Sequence, residues 1–200
     1  MEPSPTAYDD SFRTLLNDCR ELIIPVVNEA FGETYSGQEE VVLSPNEHFL
    51  KQDGGREAKR VTDSSFQIVR ANGEKKRYHV ECETNLDSSI LVRIFEYDAQ
   101  IALGDRRVDE YSCTVSFPHT AVLALRHTGS TPDAMRVRVV TPGGETGYDV
   151  PIVKVQKYSL EEIFDRKLLF FLPFYIFSHE KEFPEYERNE TRLKILTDDY

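Results

Sequence analysis

Asp63 and, eighteen residues later, the triplet Glu81-Cys82-Glu83 are the residues whose types and spacing could do chemistry. Carboxylates held a few ångström apart repel one another unless a hard cation neutralises them. Mg²⁺ or Mn²⁺ takes such oxygen ligands, with waters completing an octahedron. A cation held there could activate a water and stabilise the charge that develops on a phosphodiester. An exposed strand face that simply carries acids gives the same spacing, and alternation alone does not separate the two readings.

For these carboxylates to meet, two strands must pair in one particular register. Arg60 to Arg70 (RVTDSSFQIVR) and Lys76 to Thr84 (KRYHVECET) flank the turn sequence Ala71-Asn72-Gly73-Glu74, a hairpin signal. Side chains alternate along a strand, so Tyr78, Val80 and Cys82 share one face while His79, Glu81 and Glu83 share the other. On the first strand Phe66 and Ile68 lie with Thr62 and Ser64, opposite Asp63, Ser65 and Gln67. A two-residue Asn72-Gly73 loop would set Asp63 across from Cys82, a carboxylate in the apolar face. A three-residue loop with Gly73 at positive φ pairs Arg70 with Glu74, hence Phe66 with Tyr78, Ser65 with His79 and Asp63 with Glu81. The second register is the prediction.

The remaining elements form a frame around that hairpin. Asp9 and Asp10 precede Phe12, Leu15, Leu16, Cys19, Leu22, Ile23 and Val26, the spacing of an amphipathic helix that Pro25 kinks or ends. Residues 36–60 read as polar, loop-rich chain around Val41-Val42-Leu43, with a Gly54-Gly55 turn. Ile90, Ile94, Tyr97 and Ile101 give a helix from about Ser88 to Leu103. The apolar run from His119 to His127 suits a central strand covered on both faces. Arg136 to Val140 and Tyr148 to Val155 flank Pro142-Gly143-Gly144 as a second hairpin. Ser159 with Glu162 is a capping-box pattern opening a helix that Leu168 to Phe177 continues, with a break near Pro173.

Several neighbours could serve the carboxylates. Arg93, Tyr97 and Gln100 recur at four and three on one helix face, although the same spacing suits a core tyrosine and a surface pair of Arg93 with Glu96. His79 and Ser65 line the site in the predicted register. Glu47, in Pro45-Asn46-Glu47-His48, is a further candidate ligand. Asp10 is another candidate carboxylate, and Glu29 reads as a solvated charge. His48, His119, His127 and His179 have no partner pattern and read as structural. Ser64 and Ser65 lack a matching His and Asp, so serine hydrolysis is unsupported.

Composition bounds the partners. Two hundred residues make one domain with a sizeable core, and a 40% hydrophobic fraction makes the chain foldable. A net charge of −11 argues against a protein that coats nucleic acid. Its distribution is uneven: residues 1–50 carry two basic and ten acidic side chains, whereas 51–77 carry eight basic and four acidic. Lys51, Arg56, Lys59, Arg60, Arg70, Lys75, Lys76 and Arg77 make that basic segment, either solvated strand ends or a face that holds phosphate. Cys19, Cys82 and Cys113 form no CxxC pair and read as reduced core thiols. No signal-peptide pattern opens the sequence, and the longest apolar run, Leu168–Phe177, is ten residues against the ~20 that cross a bilayer, so a cytoplasmic protein without a membrane partner is expected. The expected organisation is a domain over 1–177 and a charged helical extension over 178–200, which would open a longer C-terminal region if one follows.

Long segments add a resemblance. SFRTLLNDC, LIIPVVNEAFGE, LSPNEHFL, RVTDSSFQI and YHVECE between Ser11 and Glu83, SSILVRIFEYDAQIAL from Ser88, and then FPHTAVLALR, TPGGE and LLFFLPFYIFSHE are similar to PD-(D/E)XK nuclease-family transposases, relatives of the bacterial recombination-promoting Rpn nucleases. The resemblance implies an α/β fold with a restriction-endonuclease-like core, a mixed sheet flanked by helices, that cuts DNA with Mg²⁺ or Mn²⁺. Asp63 matches the family's strand aspartate and Glu81 its second acidic ligand. Glu83 stands where the superfamily has Lys and this branch commonly Gln. It is then a second-metal ligand, a general base, or the mark of an impaired enzyme that binds nucleic acid or protein without cutting. Lys59, Arg60, Lys75, Lys76, Arg77 and Arg93 would hold DNA, and a homodimer would suit cleavage of both strands.

Overall fold

The computed structural model describes residues 7–44, 47–51, 57–61, 65–87 and 89–179, without the side chains of Ala7, Asp9, 47–51 and 57–61. Two helices open it, α1 (Ala7–Asp18) and α2 (Ile23–Phe31), joined by a 3-10 turn over Arg20–Leu22. The expected amphipathic stripe is present, with Phe12, Leu16, Ile23 and Val26 buried. The break falls at Cys19 rather than at Pro25, which occupies the first turn of α2. Proline costs nothing there, because the first-turn N–H groups have no intrahelical acceptor.

A six-stranded mixed sheet follows, in the order β1 (Glu40–Leu43), β4 (Ser65–Val69), β5 (Lys75–Glu83), β8 (His119–Ala124), β10 (Gly144–Lys154), β9 (Ala134–Thr141). β1, β4 and β5 form an antiparallel meander; β8 runs parallel to both β5 and β10, and β9 closes the far edge antiparallel. Helix α3 (Ile90–Gly104) makes the crossover from β5 to β8. The fold is thus α+β, a mixed sheet flanked by helices, as the sequence predicts.

The β4–β5 hairpin has the predicted register over its described length. Ser65 pairs with His79 and Phe66 with Tyr78. The Arg70 N–H donates to the Glu74 carbonyl at 2.9 Å, the Gly73 N–H to the Arg70 carbonyl at 2.8 Å, and Gly73 has φ +83°. Only the three-residue loop satisfies all of these, because its last residue must be left-handed.

Two faces of the sheet carry two cores. Phe66, Ile68, Tyr78, Val80, Cys82, Leu123 and Val153 pack under α1, α2 and the C-terminal helices, joined by Phe170, Phe171 and Phe174. Burying each of those rings stabilises the fold by roughly 1.5–3 kcal/mol. On the opposite face Ile90 and Ile94 of α3 meet Val122, Val137 and Val150. β8 is therefore covered on both sides, as its apolar run requires.

Several expectations need correction. Of the segment Arg60–Arg70, Arg60 and Val61 belong to β3 (Glu57–Val61), which pairs with β2 (Glu47–Lys51) in a separate ribbon, and Ser65–Val69 to β4. The stretch read as loop-rich chain thus contains β2 and most of β3 besides β1, and the Gly54-Gly55 turn lies outside the described residues. A second ribbon, β6 (Arg107–Asp109) with β7 (Ser112–Thr114), has exposed positions throughout and so lacked an apolar signature. Only Cys82 is a core thiol; Cys19 and Cys113 are exposed, and all three are free. The Ser159–Glu162 capping box opens α4 (Leu160–Asp165) as predicted, with the Glu162 N–H donating to Ser159 Oγ at 3.2 Å. Beyond its cap at Arg166, Lys167 turns the chain with φ +59° into a 3-10 stretch over Leu169–Phe174 and a short α5 (Ile176–His179). Residues 180–200 lie outside the described residues. No described helix is long and apolar enough to cross a membrane.

Candidate functional site

Strand alternation delivers His79, Glu81 and Glu83 to the face of β5 that α3 covers. His79 and Glu81 are buried, at 0% and 3% exposure. Burying a carboxylate is costly unless it is paired, and Glu81 is paired: its Oε1 lies 2.8 Å from His79 Nε2. The other ring nitrogen, Nδ1, lies 2.7 Å from Asp98 Oδ1. Asp98, fully buried on α3, also accepts from Thr120 Oγ1 of β8 at 2.7 Å and from the Tyr148 hydroxyl of β10 at 2.6 Å. Four elements thus fix one imidazole, and the imidazole fixes Glu81.

The electrostatics follow from this packing. Burial opposes a charge on His79, but the hydrogen bonds and charges of Asp98 and Glu81 outweigh it and raise the ring to about 9. His79 is then an imidazolium at neutral pH, donating from both nitrogens. Burial pushes the Glu83 carboxyl up to about 7, with the charge of Glu81 adding to the rise and Arg93 pulling against it. Arg93, on α3, forms an ion pair with Glu83. Its guanidinium is held above its ordinary value, burial opposing and the carboxylates of Glu83 and Glu81 prevailing. The Nε of Arg93 is buried with no hydrogen-bond partner among the described residues.

Two of the three residues on that helix face, Arg93 and Tyr97, lie beside the β5 side chains. Arg93 reaches Glu83, and the Tyr97 ring stands edge-on to His79 with centroids 6.1 Å apart. Gln100 Oε1 is buried and unpartnered among the described residues. Ser65 is buried opposite His79 and bonds Ser44 at 3.3 Å, touching neither carboxylate. Glu29 is an exposed charge, as read, and accepts at the surface from Arg166 and from the Tyr158 hydroxyl, both at 2.9 Å. Asp10 is exposed on α1.

Asp63 lies outside the described residues. Glu47 opens β2 opposite Val61, and Lys59 and Arg60 sit in β3 opposite Phe49 and His48; the side chains of all three are outside the described set. Lys75, Lys76 and Arg77 occupy the far end of β5, roughly 20 Å along the strand from Glu81 and Glu83. Lys76 is paired with Glu33 and Arg77 with Asp105. The structure therefore does not bring these three cations to the carboxylates; Arg93 alone of the proposed phosphate-binding side chains is seen there.

Asp98, Thr120 and Tyr148 were missed from sequence. A signal existed for Asp98: it falls four residues after Ile94 and three before Ile101, a charged residue on the buried stripe of an otherwise apolar helix. Thr120 and Tyr148 reach it only through tertiary pairing.

As a cation site, the described residues supply hard carboxylate oxygens from Glu81 and Glu83, and a chemistry suited to Mg²⁺ or Mn²⁺ rather than to thiolate-preferring metals. His79 is excluded as a ligand because both its nitrogens are engaged. No group of three His, Cys, Asp or Glu poised to hold a metal occurs among the described residues. Comparison of the chain with protein-family models, with curated proteins and with solved structures finds no match.

Proposed function

We propose that the chain is a metal-dependent DNA endonuclease with a restriction-endonuclease-like core, of the recombination-promoting type. The observation that carries this reading is Glu81, a buried carboxylate pinned by an imidazolium that is itself held by a buried aspartate. Metal-binding carboxylates are oriented by such outer partners, and a fold that bears the cost of burying them gains a fixed ligand. Asp63 and Glu81 would hold Mg²⁺ or Mn²⁺, which when bound polarises the phosphodiester and acidifies a water. His79 keeps the Glu81 carboxylate in place. Glu83, poised near neutrality, can take the proton that the attacking water loses. Arg93 restores a cation beside the position where Glu83 departs from the family pattern, and offers N–H donors to phosphate oxygen.

A second reading, a catalytically impaired nuclease fold that binds nucleic acid or protein, is favoured by the same ion pair, since Arg93 and Glu83 already satisfy one another. Relaxation of supercoiled plasmid separates the two. The purified protein is expected to nick DNA with Mg²⁺ or Mn²⁺ and to stop in EDTA. Persistence of nicking in EDTA, or none with either cation, contradicts the nuclease reading.

A further inference from the structure

At the end of β5 remote from Glu81, a cavity of about 470 Å³ opens between the start of that strand, the C-terminal end of α3 and the β6–β7 ribbon. Its size is that of a small-molecule site. Lys75, Lys76, Arg77 and Arg107 line it, against one carboxylate, Asp105. Lys76 and Arg77 are neutralised by Glu33 and Asp105. Lys75 and Arg107 have no acidic partner among the described residues. Two cations without an acidic partner among the described residues, on one concavity in a chain of net charge −11, mark a place for an anion.

The same cavity has an aromatic wall. Phe117 lies nearly parallel to Phe95, with centroids 6.0 Å apart and planes at 25°, and is braced by Tyr148 at 5.8 Å. The ring is held in place and still 39% exposed. Thr114 and Ser116 add hydroxyls beside it. Cations next to a braced ring and small hydroxyls are the elements that bind a phosphate ester, a base and a sugar together.

We propose that this cavity binds a nucleoside phosphate, with the phosphate on Lys75 and Arg107 and the base on Phe117. The ligand is either a free mononucleotide or the 5′-phosphorylated end of a DNA strand. The inference goes beyond the nuclease reading and uses none of its carboxylates.

Calorimetric titration of the full chain in EDTA tests it, with AMP, adenosine, inorganic phosphate, and a short single-stranded oligonucleotide with or without a 5′-phosphate. AMP or the phosphorylated oligonucleotide is expected to bind at least about tenfold tighter than phosphate or adenosine, and Arg107→Ala and Phe117→Ala each to weaken binding about tenfold. Both positions lie outside the two cores, and circular dichroism checks that the variants fold. Tighter binding of the phosphorylated oligonucleotide identifies a strand end, and tighter binding of AMP a free nucleotide. Equal affinity for phosphate and AMP, affinity unchanged in both variants, or no binding overturns the proposal. Because EDTA removes divalent cations, this result is independent of whether the protein cuts DNA.

Discussion

Glu81→Gln is expected to lower Mg²⁺-dependent nicking about 1000-fold while leaving the protein folded. Glutamine preserves the shape and one acceptor for His79 Nε2, so the packing between β5 and α3 survives. On the proposed reading it removes a charge that the hard cation requires, and with it the stabilisation of the phosphodiester transition state. On the proposed reading Asp63→Ala is expected to cost as much, since Asp63 is the other carboxylate assigned to the cation. Initial rates on supercoiled plasmid, with thermal melting as the control for folding, give the comparison. Activity within tenfold of wild type in either variant would remove the mechanism.

The largest effect on stability is expected at His79. His79→Leu leaves Asp98 and Glu81 buried without the cation that joins them, and breaking a buried charged network in this way costs about 3–5 kcal/mol. Asp98 retains Thr120 and Tyr148, which keeps the loss from being larger. The effect depends on pH with a definite sign. The ring titrates at about 9 in the fold against 6.5 when free, a difference of about 3 kcal/mol. Because the folded value is the higher one, this stabilisation is fully present below about pH 6.5 and is lost as pH rises through 9. Glu83, also raised, to about 7, makes stability fall in the same direction at lower pH, from 4.5 to 7. Urea unfolding across this range is therefore expected to show wild type declining between pH 6.5 and 9 and His79→Leu nearly flat over that interval. A variant that declines in parallel with wild type would show that His79 is not the titrating group.

What could be read from the chain divides along physical lines. The β4–β5 register was legible because a period of two and a glycine-bearing turn are local constraints, and only one loop length kept a carboxylate out of the apolar face. β8 was legible because a strand covered on both sides must be apolar throughout. The β6–β7 ribbon was not, since all its residues are exposed and no buried face imposes alternation on its sequence. At the site, Glu81 and Glu83 followed from alternation, and Arg93 and Tyr97 from helical spacing. The network behind them did not, because Asp98, Thr120 and Tyr148 come from three elements that meet only when β8 and β10 join the sheet. Lys75, Lys76 and Arg77 were grouped with the carboxylates on sequence proximity, and a nine-residue strand carries them to its other end.

The direct measurement is a crystal soaked in Mn²⁺ and examined for anomalous scattering. A peak coordinated by Glu81 and Asp63, absent from Glu81→Gln crystals, is the predicted result. Crystals that diffract well in millimolar Mn²⁺ and show no peak at Glu81 would contradict the account.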